Sequence, residues 1–226
     1  MEKTLILSRD SVAAWQQTLG LNHDWQTRIP PTIGAALALA VLAEEVPDGF
    51  YLAKQECLFT GCLEQNKNYA LAGKITKMIE SDALDCLTCE VTISHAGETL
   101  LALTSTLVRP KRENEKNDTK AVGGQTCPAE QPIQRRSFSP GDIKRYTQLS
   151  GDRNGIHQGD HPVVPGMLCL LAIEDALALQ GIFCRRFSVQ YKRPLYAGED
   201  LALYLQNDLL CGKVQNQLHL KLKWEA

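Results

Sequence analysis

Pro30-Pro-Thr-Ile-Gly34 and Pro162-Val-Val-Pro-Gly166 carry the same punctuation, a proline, three residues and a glycine, 132 positions apart. Carried on without a gap, that offset matches Leu39 with Leu171, Ala40 with Ala172, Val41 with Ile173 and Gly49 with Gly181. Proline suits the start of a helix and glycine its end, so each copy reads as a helix bounded on both sides. The two helices, predicted over about 34–45 and 166–180, are apolar around most of their circumference, the pattern of a buried helix.

Behind each helix the period changes to two. Phe183, Arg185, Phe187, Val189, Tyr191 and Arg193 alternate with the residues between them, Leu201, Leu203 and Leu205 alternate again, and Leu218, Leu220, Leu222 and Trp224 share one face opposite His219, Lys221 and Lys223. The first copy has candidate strands near 50–60, 68–80, 86–95 and 98–109, with His95-Ala-Gly-Glu98 as a turn. The second copy therefore shows one strand fewer. The expected fold class is α+β, a double hot-dog in which two antiparallel sheets each wrap a buried central helix. Its units are an N-terminal hot-dog at 1–110, a charged flexible linker at 111–132 that contains Gly123-Gly124, and a C-terminal hot-dog at 133–226.

Composition narrows the classes. With 226 residues, 44% of them apolar, wholesale disorder is excluded. The longest apolar run, Ile33 to Ala43, is too short for the roughly 20 residues that span a bilayer. No secretory signal pattern opens the chain, so a cytoplasmic location is expected. A net charge of −2 and a pI near 6.2 argue against nucleic-acid binding. Eight cysteines in such a chain read as reduced thiols. Cys86 and Cys89 form a Cys-x-x-Cys, but strand alternation sends them to opposite faces, so no metal site is expected.

The chemistry concentrates in Phe138-Ser-Pro-Gly-Asp-Ile-Lys-Arg-Tyr-Thr-Gln-Leu-Ser150-Gly-Asp152-Arg-Asn154-Gly-Ile-His157. This stretch resembles the MaoC-like dehydratases and (R)-specific enoyl-CoA hydratases, whose signature is a short helix ending in Ser-Gly-Asp followed by Asn-x-x-His. The likeness continues through Val163-Val-Pro-Gly-Met167 and Phe187-Ser-Val-Gln-Tyr-Lys-Arg-Pro194, and so covers most of 135–205. Two departures stand out: Gly155 follows the asparagine where many members have proline, and Pro165-Gly166 opens the helix where His-Gly is frequent. The first half looks like the catalytically silent N-terminal hot-dog of two-part members. The resemblance implies Asp152 and His157 as the catalytic pair, with Ser150 and Asn154 supporting them.

Hydration of an α,β-unsaturated thioester needs an activated water, a proton at the α-carbon and a stabilised enolate-like oxygen. A carboxylate and an imidazole sharing one water can handle both proton movements. Gly166, at the N-terminus of a buried helix, is the expected oxyanion and substrate-binding residue, because unpaired N–H groups and the helix dipole converge there. Spacing alone also fits a plainer reading, in which Asp152 and Asn154-Gly155 are turn residues and His157 is structural. His161, His23, His95 and His219 read as loop or surface residues. Mapped back by 132, Asp152 and His157 fall on Gly20 and Trp25, which leaves one catalytic pair per chain.

Three functions compete: hydration or dehydration of an acyl thioester, thioester hydrolysis, and acyl-thioester binding without turnover. None needs a metal or a redox cofactor, since coenzyme A or pantetheine belongs to the substrate. The expected partners are acyl-CoA or an acyl carrier protein, with neither nucleic acid nor a membrane span, and a homodimer is one assembly the sequence permits. Residues 133–226 hold 12 basic against 9 acidic residues, and Arg135-Arg136, Arg185-Arg186 and Lys192-Arg193 are candidates for contacting coenzyme A phosphates.

Overall fold

The computed structural model describes residues 2–111 and 131–226. The linker expected at 111–132 lies, apart from its ends, outside the described residues. The first half runs β1 (Glu2–Ile6), α1 (Arg9–Leu19), α2 (Pro31–Leu39), β2 (Tyr51–Phe59), β3 (Asn68–Ile79), β4 (Leu84–His95) and β5 (Glu98–Pro110). The second half repeats it with β6 (Gln134–Arg136), α3 (Pro140–Ser150), α4 (Gly166–Leu179), β7 (Arg186–Tyr191), β8 (Leu201–Gln206), β9 (Leu209–Val214) and β10 (Gln217–Glu225).

The strands form one ten-stranded antiparallel sheet in the order β1-β3-β4-β5-β2-β7-β10-β9-β8-β6. This corrects the expectation of two sheets. The halves join through β2 and β7, whose register pairs Glu56 with Ser188 and Cys57 with Phe187. Residues 56 and 188 are 132 apart, so the sequence offset reappears as a pseudo-twofold relation centred on that pair. The strand missing from the second copy is β9. Its alternation is broken by Gly212, where a Cβ would lie 2.8 Å from Leu220 and 3.0 Å from Leu201, closer than atoms pack.

Local chemistry explains the helices. α1 and α3 start at Ser8 and Ser139, whose hydroxyls accept the N–H of Ser11 and Asp142, and they end at left-handed Gly20 and Gly151. Their buried stripes, Val12, Trp15 and Leu19 against Ile143, Tyr146 and Ser150, lie at matching positions, and the Trp15 and Tyr146 rings meet edge to face at 5.7 Å. The matching offset here is 131, so the loop leading to α4 holds one residue more than the loop leading to α2. Counted from the helix caps, the counterpart of Asp152 is therefore Leu21 and not Gly20. None of Gly20, Leu21 and Trp25 can carry a proton in its place.

α2 and α4 are buried on almost every side, as their apolar circumference predicts. α2 is shorter than expected and tightens into a 3-10 turn at Ala40–Leu42, where Leu42 presses on Gly73 of β3. At 95–98 the turn has positive φ at both Ala96 and Gly97, the hairpin geometry expected there. Cys89 points into the core and Cys86 away from it, as alternation predicts. His219 departs from the sequence reading. A bulge between Leu218 and Leu220 turns it inward, it is 7% exposed, and burial lowers its pKa.

Asp175 of α4 ties the halves together: its carboxylate accepts the N–H of Asn22 (3.0 Å) and of His23 (2.9 Å) while only 2% exposed. Asp175→Ala would strand both donors, and a loss of about 2–4 kcal/mol in urea unfolding is expected. Asp175→Asn, which keeps one acceptor oxygen, should lose less. Equal stability of all three proteins would show that this contact holds nothing together.

Candidate active site

Asp152 follows directly on the left-handed Gly151 that ends α3. Two turns of hydrogen bonding then wind the chain tightly. The Ser150 hydroxyl accepts the Asp152 N–H (3.2 Å), and Asp152 Oδ1 accepts the Asn154 N–H (3.0 Å). Asn154 caps the 3-10 turn Gly155–His157 with its side chain. The turn expected from the sequence is present, and it brings the Asp152 and His157 side chains together.

His157 Nδ1 lies 2.7 Å from the Val163 carbonyl, which can only accept, so Nδ1 carries the hydrogen. That leaves Nε2 facing Asp152 Oδ2 at 3.4 Å. His157 is nearly enclosed and Asp152 keeps an opening to solvent, with side chains 7% and 33% exposed. Burial pushes the Asp152 carboxyl up, but the hydrogen bond and charge of His157 and the Asn154 N–H pull harder, and its pKa ends below the usual carboxylate range. An ionised oxygen and an imidazole nitrogen therefore stand 3.4 Å apart, with the carboxylate partly open to solvent. Together they can hold and deprotonate a single water.

The first half supplies the other wall. Asn154 Nδ2 donates to the Phe50 carbonyl (2.7 Å), Asn154 Oδ1 accepts the Gly49 N–H (3.1 Å), and Asp48 Oδ1 accepts the Gly155 N–H (3.3 Å). Gly49 has φ +85, a backbone state that side chains rarely adopt, and this turns its N–H toward Asn154. Arg109 braces the segment from behind: it stacks 4.8 Å from the Phe50 ring and donates to Asp85 Oδ2 at 2.8 Å. Asn154 thus clasps the first half to the turn that carries His157.

Gly166 stands at the first position of α4, and no hydrogen bond joins it to Asp152 or His157 among the described residues. A Cβ there would lie 2.8 Å from the Leu52 methyl and 3.1 Å from the Tyr191 ring, so a larger residue would have to push both aside. The Tyr191 hydroxyl lies 3.0 Å from the Gly166 carbonyl and 2.9 Å from Gln55 Oε1, and Gln55 Nε2 reaches Ser105 Oγ at 3.1 Å. This buried relay pins the first turn of α4. Sequence reasoning missed Gln55, Tyr191, Asp48 and Arg109, and the one available signal was Gln55, a polar residue on an inward-facing strand position. Of the basic pairs, Arg136 is committed to the Leu19 and Gly20 carbonyls and Arg135 to Asp200. No cluster of three or more metal-ligating side chains occurs among the described residues, and no described helix is long and apolar enough to cross a membrane.

No protein-family model and no curated protein matches the chain in sequence. Solved structures do match in fold. HtdX of Mycobacterium tuberculosis superposes with a TM-score of 0.78 at 17% identity, over 98% of this chain and 97% of that one. A MaoC-like dehydratase from Phytophthora capsici gives 0.73 at 12% identity, over 100% and 94%. An acyl-ACP thioesterase from Bacteroides thetaiotaomicron gives 0.62 at 13%, over 99% and 96%. The chain has the fold of the MaoC-like dehydratases.

The depressed pKa of Asp152 sets a pH dependence. A carboxyl that titrates lower folded than unfolded adds stability above its unfolded pKa, near 4, and loses it as pH falls through the folded value. The Tm difference between the wild type and Asp152→Asn should therefore shift against the wild type between about pH 5 and pH 2 in calorimetry. A difference that stays constant over that range would show that Asp152 gains nothing from His157.

Proposed function

We propose that the chain is a two-part MaoC-like hydro-lyase, with hot-dog units at 1–110 and 133–226 joined by 111–132. It interconverts a trans-2-enoyl thioester, on coenzyme A or an acyl carrier protein, and the (R)-3-hydroxyacyl thioester. The observation that carries this reading is the orientation of the pair: Nδ1–H of His157 is held by Val163, and Nε2 faces an ionised Asp152 oxygen at 3.4 Å.

In the hydration direction, the pair holds one water. Asp152 draws off its proton as the oxygen bonds to C3, the C2=C3 π bond breaks, and the proton returns to C2. His157 orients the water through Nε2. Charge that gathers on the thioester oxygen meets the Gly166 N–H at the start of α4, where the helix dipole adds to the donor. Ser150 and Asn154 hold Asp152 and His157 in register. The chemistry calls for no metal or redox cofactor, with coenzyme A or pantetheine entering as part of the substrate, and a cytoplasmic setting suits it. Thioester hydrolysis would need a carboxylate and water but no histidine beside it, so the Asp152–His157 pairing favours hydration.

Incubation with crotonyl-CoA should remove the enoyl-thioester absorbance and yield (R)-3-hydroxybutyryl-CoA. Asp152→Asn and His157→Gln should each lower kcat by about 10²–10⁴-fold, as lost general acid–base catalysis does. The double variant should be little worse than either single one, because the groups act as one unit. Release of free thiol without hydration would replace this reading with thioester hydrolysis. Full turnover in both variants would remove the pair from the mechanism.

A further inference from the structure

The pseudo-twofold relation gives the catalytic cleft a counterpart at the other end of α4. It is an apolar cleft lined by Trp25, Thr32, Phe59, Ile173, Glu174 and Phe183 among others. Trp25 occupies the position that His157 has when counted back from the helix, and Thr32 lies in the first turn of α2 as Val164 lies just before α4. Glu174 is eight residues along α4 from Gly166, about 12 Å at ~1.5 Å per residue. The two clefts are separate places.

Lost catalytic groups would ordinarily leave such a copy packed shut with hydrocarbon. Here it retains polar atoms. The Trp25 indole N–H is buried with no hydrogen-bond partner among the described residues, and Trp25 is 6% exposed. The Thr32 hydroxyl also makes no hydrogen bond of good geometry, although the Glu174 carboxyl is close enough to feel it, and Thr32 is 1% exposed. A buried donor without an acceptor costs about 1–3 kcal/mol, so two in one cleft ask for an occupant. Glu174 Oε2 already takes the Thr32 N–H at 3.1 Å. Burial pushes its carboxyl up to about 8, so at neutral pH it is uncharged and carries a hydrogen of its own.

We propose that this cleft is a second ligand site, which takes the carbonyl end of a short uncharged acyl compound. Both donors lie closed off from the open part of the cleft. The occupant therefore parts the lining side chains to bring its carbonyl oxygen onto the Trp25 indole and the Thr32 hydroxyl, and its chain lies along Phe59 and Ile173. The size argues for a short chain: the cleft offers about 60 Å³, room for about four to six water-sized groups at ~10–15 Å³ each. The mouth is aromatic, with His23 and Phe183 rings 5.0 and 6.2 Å from Trp25, and no Lys or Arg lines the cleft among the described residues. An anionic head group therefore has no partner there. The site does not depend on turnover at Asp152 and His157.

The test follows the indole N–H of Trp25 in ¹⁵N-labelled full-length protein, assigned with Trp25→Phe, during titration with S-butyryl-N-acetylcysteamine. This saturated thioester can be neither hydrated nor dehydrated. A saturable downfield shift is expected in the wild type, and equally in the Asp152→Asn, His157→Gln protein, while Thr32→Val weakens the apparent Kd roughly 3- to 10-fold for one lost hydrogen bond. Butyrate should leave the resonance in place. Absence of a shift in the millimolar range, an equal response to butyrate, or loss of the response in the Asp152, His157 double variant would each overturn the proposal, the last by assigning the response to the catalytic cleft. Crotonyl-CoA turnover, measured on the same samples, reports on the catalytic pair alone and separates the two readings.

Discussion

The antiparallel pairing of β2 with β7 is the contact on which the rest of the molecule depends. Two halves that each bury a helix against a five-stranded sheet could meet in many ways. Hydrogen bonds centred on Glu56 and Ser188 allow one. That register makes the sheet continuous and sets α2 beside α4 running the opposite way. It also brings the backbone at Asp48–Phe50 from one half under the turn Gly155–His157 of the other. The geometry of the candidate site is a by-product of strand register, since Asn154 can clasp Gly49 and Phe50 only if β2 starts where it does.

The punctuation of the fold was legible because it is local. A serine cap, a left-handed glycine and a proline before a helix act within a few residues, so the repeated helices and most strands follow from short windows. The single sheet was not legible, because nothing in either strand says that β2 and β7 will pair across more than a hundred residues. β9 escaped because Gly212 and a mixed pattern hide its alternation, and His219 was misread because a bulge reverses the face that alternation assigns. The offset of 132 holds for the central helices and strands, but one extra residue in the loop between α3 and α4 moves the counterpart of Asp152 to Leu21.

At the site, Asp152, His157, Ser150 and Asn154 were readable as one compact stretch, and the structure brings them together. Their supports were not. Gln55, Tyr191 and Arg109 are ordinary residues whose roles exist only after distant strands meet. Gly166 was readable as the start of a helix, and the Leu52 and Tyr191 contacts, which no local pattern announces, explain why so small a residue opens α4.

The shared sheet also bears on how such a molecule can change. If two identical chains made the same arrangement, every substitution would be written twice, and a loop could not gain an aspartate at one end of the axis without gaining it at the other. With both halves on one polypeptide, the ends drift apart independently while the strands between them stay matched. Position 152 holds an aspartate while position 21 holds a leucine, and Glu174 stands where its counterpart, Leu42, packs on Gly73. Symmetry persists in the backbone, where hydrogen bonding enforces it, and lapses in the side chains, where nothing does.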